Sequence, residues 1–395
     1  MSTVPAEPAL FSGEAPVNPA PRLHLDYLDG LRALAALFVL LHHGYISVWN
    51  IFAQRYPSGL LDRLTHWMIY GHFAVSVFIV ISGFSLMLPL VRGDGALKGG
   101  PTAFFKRRAR RILPPYYCAM GLSLLVWLFL FSHDWRHPGL PFSLADILSH
   151  LFLVHNFSRA TMGTINGTFW SIAVESQIYL VFPLLVWLWK RIGPEATLLL
   201  TILVGYGGRW LLETRYPDQI GLTAHYLTLF CMGMFGTTVA FSPAENWRRM
   251  REGKFWPWLA MGLFVWLIAL CTYWGWDKAL GARQHHTDFL VGLCAMCLLI
   301  LASRSTSNLP RKALSLRPLP FLGSFAYSIY LSQLPLLLIY RKFLMQPGQM
   351  SENAMFALFL LLGFPLLIGG AYLFFLACER PFLNAPSVRR DRNPV

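Results

Sequence analysis

Ten apolar runs of 17 to 25 residues divide this chain, and each is long enough to cross a bilayer as a helix. They lie at about 31–52, 71–91, 113–132, 169–189, 195–212, 223–241, 255–275, 287–303, 320–340 and 354–378. Hydrocarbon offers no water to satisfy the backbone, so a spanning run must bond within itself as a helix. The expected fold is therefore all-α: a polytopic integral membrane protein with about ten transmembrane helices. Composition agrees. Of 395 residues, 55% are hydrophobic and 13% charged, about half the charge of a soluble domain.

The net charge is +14. Its basic residues gather between the apolar runs, and no nucleic-acid motif accompanies them, so no nucleic-acid partner is expected. An even number of spans puts both termini on one side. With that side inside, 22 Lys and Arg fall in inner segments and 10 in outer ones, which predicts cytoplasmic N- and C-termini. Residues 1–25, rich in Pro and Ala, read as a disordered tail, and 383–395 as a second cytoplasmic tail. No signal peptide is expected, because the first run is too long for one. The longest outer segment is 133–168. Within it, residues 144–157 are apolar but too short to cross, which suggests an interfacial or re-entrant helix. The two halves show no repeat, against the habit of many carriers. Six cysteines are scattered through apolar runs and form no disulfide framework. Cys294 and Cys297 have metal-like spacing without a second pair, so they read as small packing residues and no metal is assigned.

Charge inside the runs marks where chemistry belongs. The stretch DYLDGLRALAALFVLLHH (26–43) puts Arg32 and His43 eleven residues apart. That is about three helical turns, so they share a face, about 16 Å apart along the axis. His43 then sits near the midplane; His42 points about 100° away. FFKRRARRILPPYY (104–117) reads as a cytoplasmic basic loop, and a helical spacing would let Arg108 and Arg111 grip one anion together. Its alternative is a topology anchor on acidic lipid. Glu175 lies well inside the fourth run, with Ser171 and Tyr179 one turn to either side. Ser82-Gly83 reads as a close helix crossing. Trp170, Tyr327 and Tyr330 read as packing or interfacial aromatics.

A basic cytoplasmic anion site, a midplane histidine and a carboxylate in the outer half suggest a route across the membrane. An acyl thioester of coenzyme A fits it. Its phosphates need arginines, its pantetheine arm can reach inward, and attack by an acceptor hydroxyl needs a base titrating near neutrality.

With these residues in place, the chain resembles the acyltransferase-3 family of membrane-bound sugar O-acyltransferases, from about residue 28 to 382. DGLRALAALFVLLHH resembles the family's first-helix pattern of an Arg and a His separated by ten residues. FIVISGF (78–84) is similar to its second-helix signature, and RRARRILPPYY (107–117) to its Arg-x-x-Arg loop. INGTFWSIAVESQIYL (165–180) resembles its Trp-Ser-x-x-x-Glu segment, LGSFAYSIYLSQLPLL (322–337) its late helix, and ERPF (379–382) its closing motif. The family often has His in the late helix where this chain has Gln333. With the last run ending near residue 378, the extra hydrolase-like domain of some relatives is not expected. The resemblance implies an acyltransferase transmembrane domain over 26–382, in the inner membrane of a bacterium. It implies transfer of an acyl group, often acetyl, from cytoplasmic acyl-CoA to a hydroxyl of a carbohydrate or glycosylated acceptor. On that reading His43 is the general base and Arg32 positions it or the thioester. Arg108 and Arg111 hold the coenzyme, and Glu175 orients the acceptor or His43. Trp170 and Ser171 belong to the acceptor side, and Asn156 and Asn166 are further candidates for sugar contacts. The alternative is a carrier for a lipid-linked or small acyl compound without chemistry.

Overall fold

The computed structural model describes residues 24–49, 56–131, 142–216, 223–304, 308–345 and 349–383. The two expected tails lie almost wholly outside these residues. Helices form on all ten predicted runs. The first is α1 (Asp26–Val48). Next, α2 (Gly59–Thr65) runs through a 3-10 segment (His66–His72) into α3 (Phe73–Val91), and α4 (Gly100–Phe131) follows. Two short helices, α5 (Leu144–Leu151) and α6 (Arg159–Met162), precede α7 (Trp170–Ile192), α8 (Pro194–Arg215) and α9 (Tyr226–Phe241). Then come α10 (Glu245–Arg251), α11 (Trp256–Trp274), α12 (Trp276–Leu280), α13 (Gln284–Ala302), α14 (Leu309–Leu314) and α15 (Pro318–Gly323). The chain closes on α16 (Ala326–Leu344), α17 (Glu352–Leu358) and α18 (Phe364–Phe374), the last two joined by a π turn. No β-strand occurs among the described residues.

This is a multi-pass membrane protein. Among the described residues, seven helical segments are long and apolar enough to cross a membrane, or eight if α9 and α10, bent by 101°, count as one. The expectation was ten. Charge explains part of the difference: α8 carries Arg209, Glu213 and Arg215, and α16 carries Arg341 and Lys342. Length explains α9. Its 16 residues rise about 24 Å, short of a hydrocarbon core of about 30 Å. It is buried almost all round, so neighbouring helices rather than lipid surround it. The expected interfacial element at 144–157 forms α5 and a 3-10 turn, both too short to cross.

The basic segment differs from the expected loop. It lies inside α4, a helix of 32 residues that runs through Pro114 and Pro115. At 1.5 Å per residue α4 is about 48 Å long, well beyond the hydrocarbon, so its charged first turns can project past the apolar layer. Proline costs a helix only the bonds it would have made to carbonyls one turn back, and the rest of α4 carries the helix across.

Two glycines set the centre of the bundle. A Cβ on Gly83 of α3 would meet the Phe230 carbonyl oxygen at 2.0 Å, and one on Gly233 of α9 the Val80 carbonyl oxygen at 2.0 Å. The two backbones therefore touch, as small residues permit in membrane bundles, and the expected crossing at Ser82-Gly83 is present. At one end of the bundle, the Tyr27 hydroxyl meets Ser303 Oγ at 2.7 Å, and Arg304 donates to the carbonyls of Arg251 and Gly253. The start of α1, the end of α10 and the end of α13 share this basic end. At the other, His72 stacks on Trp170 and meets Tyr226 and Gln284.

Candidate functional site

Helices α1, α3, α4, α7 and α16, with the segment that follows α18, enclose a cleft of about 970 Å³, counting its open mouth. It gathers Arg32, Arg108, Arg111, Ser171 and Glu175, five of the nine residues singled out from sequence. Helical spacing on α4 brings Arg108 and Arg111 to it one turn apart. Neither is ion-paired to a described carboxylate, and the buried Arg108 Nε has no hydrogen-bond partner among the described residues. Arg32 is held differently. It pairs with Asp29 at 2.5 Å and donates to Ser85 Oγ at 2.6 Å. Asp29 escaped the sequence reading although it lies three residues before Arg32, the spacing of a helical ion pair. Glu379, in the ERPF motif, also lines the cleft and accepts from Ser328 at 2.5 Å.

Glu175 presents one carboxylate oxygen to two hydroxyls. Ser82 donates to Oε1 at 2.6 Å, and Tyr179 donates to the same oxygen from the next turn of α7. No described group bonds Oε2. Ser82 thus does more than allow a close crossing. Tyr327 and Tyr330, expected as packing aromatics, line the cleft as well. The Tyr330 hydroxyl meets Ser171 Oγ at 2.7 Å, so Ser171 spends its hydroxyl anchoring a wall of the cleft.

His43 does not line this cleft. The eleven residues after Arg32 carry it about 16 Å along α1, and a shared face proves insufficient to bring both side chains into one space. Its Nδ1 lies 3.2 Å from Gln333 Oε1 on α16, one turn beyond Tyr330. His43 therefore sits beside one end of the cleft, joined to its wall through Gln333. His42 faces the Met68 carbonyl, 2.9 Å from its Nδ1, on another side of α1.

The remaining candidates lie elsewhere. Asn156 is buried and exchanges amide hydrogen bonds with Gln177 at 3.1 and 2.7 Å. Asn166 is buried too. It donates to Ser123 Oγ and to the Leu331 carbonyl, whose helical partner Pro335 removes, and its oxygen accepts from Thr168. Both amides are committed to holding the segment before α7 in place. Trp170 stacks on His72 with ring centres 5.5 Å apart.

That stack belongs to a second polar cluster the sequence reading missed. Asp288 of α13 is fully buried and accepts from Ser76 at 2.6 Å and from His225 at 2.9 Å. Arg209 lies 3.2 Å from the other nitrogen of His225 and pairs with Glu213. Asp288 falls at the edge of its apolar run, where a carboxylate reads as a flanking residue. Only the packing of α3, α9 and α13 shows it enclosed.

The family model for an acyltransferase domain matches residues 25–376. The peptidoglycan O-acetyltransferase OatA of Listeria monocytogenes is 25% identical over 200 residues, which are 47% of this chain and 28% of that protein. The O-acetyltransferase OatA of Staphylococcus aureus (strain NCTC 8325 / PS 47) is 23% identical over 347 residues, 82% of this chain and 52% of that protein. The chain thus spans about half, or less, of the length of these relatives. No solved structure matches it. The cleft's arginines, Glu175 and the histidine beside the cleft all lie within the matched residues, and the chain belongs to the acyltransferase-3 family.

Proposed function

We propose that this chain is a membrane O-acyltransferase that moves an acyl group, acetyl by preference, from acyl-CoA to a carbohydrate hydroxyl. Peptidoglycan, named for the Listeria relative, is the first acceptor to test. The observation that carries this reading is the cleft itself, where Arg108 and Arg111 meet Glu175 without an ion pair among the described residues. Two guanidiniums in no ion pair among the described residues, one with a buried donor that has no partner there, suit the phosphates of coenzyme A. Arg32, steadied by Asp29 and Ser85, is placed to polarise the thioester carbonyl. Glu175 Oε2 is open to orient an acceptor hydroxyl. His43 takes the hydroxyl proton as the new C–O bond forms, and returns it to sulfur as the C–S bond breaks. The donor enters from the cytoplasmic side of a bacterial inner membrane, the side to which the basic segments are assigned.

A second assignment of the base has one observation in its favour: Glu175 lines the cleft and His43 does not. The variants described in the Discussion separate the two. The function itself is tested with the full chain purified into lipid vesicles and given isotope-labelled acetyl-CoA and muropeptides. Release of free thiol with label on the glycan is the expected result. Passage of label across the vesicle with no thioester consumed would replace the enzyme with a carrier.

A further inference from the structure

Gln333 makes two hydrogen bonds of opposite kind. Its Nε2 donates to the Tyr330 carbonyl at 3.1 Å, and its Oε1 lies 3.2 Å from His43 Nδ1. A carbonyl has no proton to give, so the amide nitrogen must face Tyr330 and the amide oxygen must face His43. An amide oxygen only accepts. Nδ1 of His43 must therefore carry a proton, and the neutral ring keeps its lone pair on Nε2. Gln333 is 1% exposed, so water does not compete for its amide. An imidazole in its place could donate or accept. The amide, its nitrogen committed to Tyr330, does neither interchangeably and does not titrate.

We propose that Gln333 is a positioning residue that fixes His43 as the Nδ1–H tautomer, so that Nε2 is the atom that accepts the proton during transfer. This rests on the reading of His43 as the base. His42 supplies an internal control. Its Nδ1 faces the Met68 carbonyl, an acceptor that no side-chain substitution removes.

The test is nitrogen-15 NMR of the histidine-labelled full chain in lipid nanodiscs, at a pH where the rings are neutral. Loss of signals in His43→Gln and His42→Gln assigns the two rings. The wild type should show His43 with its proton on Nδ1, against the preference of free histidine for Nε2; a proton on Nε2 overturns the proposal. Gln333→Met removes the acceptor at similar volume. It should move the His43 proton towards Nε2 and leave His42 unchanged, and an unmoved His43 signal overturns the role of Gln333. Turnover by Gln333→Met should fall by about 10²-fold, the scale of a lost base, with little change in the KM for acetyl-CoA. Gln333→Glu keeps an acceptor and adds charge, so the acid limb of its pH–rate profile should rise by about one unit or more. A purely structural glutamine would move neither the tautomer nor that limb. A tautomer that shifts in Gln333→Met without loss of turnover overturns His43 as the base, while the tautomer assignment stands.

Discussion

Ser82 of α3 donates a 2.6 Å hydrogen bond to Oε1 of Glu175 on α7, across 93 residues of sequence. Tyr179 donates to the same oxygen, so the carboxylate is held in one orientation with Oε2 left to the cleft. Glu175→Gln keeps the shape but can satisfy both hydroxyl donors only through its oxygen, and it removes the charge. Transfer should fall by about 10²-fold or more with normal membrane insertion, a loss on the scale of a general base or an orienting group. Tyr179→Phe should do less, because Ser82 still orients the carboxylate. Turnover measured on both purified variants checks this. Wild-type turnover in Glu175→Gln would make the residue a packing element.

Arg108 and Arg111 face one cleft from successive turns of α4, with no ion pair to hold them there among the described residues. Replacing either with Ala should weaken acetyl-CoA binding about tenfold or more, since a charge-assisted hydrogen bond is worth about 1.5–3 kcal/mol. Lysine should rescue in part, because it lacks the planar fork. Equilibrium binding on the purified variants reads the effect. Undiminished affinity in the double Ala variant would leave the pair as a topology anchor.

His43 and His42 are neighbours with different surroundings: one meets a side chain beside the cleft, the other a backbone carbonyl. His43→Ala should abolish transfer and leave acetyl-CoA binding nearly intact, and His42→Ala should do much less. Turnover and donor affinity are to be measured on the same preparations. Full turnover by His43→Ala, with loss in Glu175→Gln, would assign the base to Glu175.

The charge bias of the segments predicts sidedness. In a cysteine-free background, Ala96→Cys and Ala160→Cys are both exposed and lie on either side of α4. Membrane-impermeant labelling of intact cells should reach position 160 and miss position 96. Labelling of both from one side would remove α4 as a crossing, and reversal would invert the donor's side of entry.

Much of the site was legible before any packing was known. Arg32, Arg108, Arg111, Ser171 and Glu175 stood out because charge and motif spacing inside apolar runs are local properties. Asp29 and Glu379 were equally local and were passed over, one beside Arg32 and the other inside the closing motif. Asn156 and Asn166 show what local spacing leaves out. An amide in an outer segment reads as a sugar contact, yet both are spent on internal bonds that no spacing rule reveals.

The sequence by itself determined the helices, because a backbone in hydrocarbon must satisfy its own hydrogen bonds. It also determined that Arg108 and Arg111 share a helical face, since an i, i+3 spacing needs no partner to be true. Only the tertiary structure decided what those faces meet. The Gly83 and Gly233 contact presses α3 against α9 at backbone distance, and with α3 so placed Ser82 reaches Glu175 and Ser85 reaches Arg32. His43 finds Gln333 across 290 residues where α1 packs against α16. Helix rotation and crossing are set by packing between segments remote in sequence. Periodicity therefore predicts a face and leaves its partner undetermined.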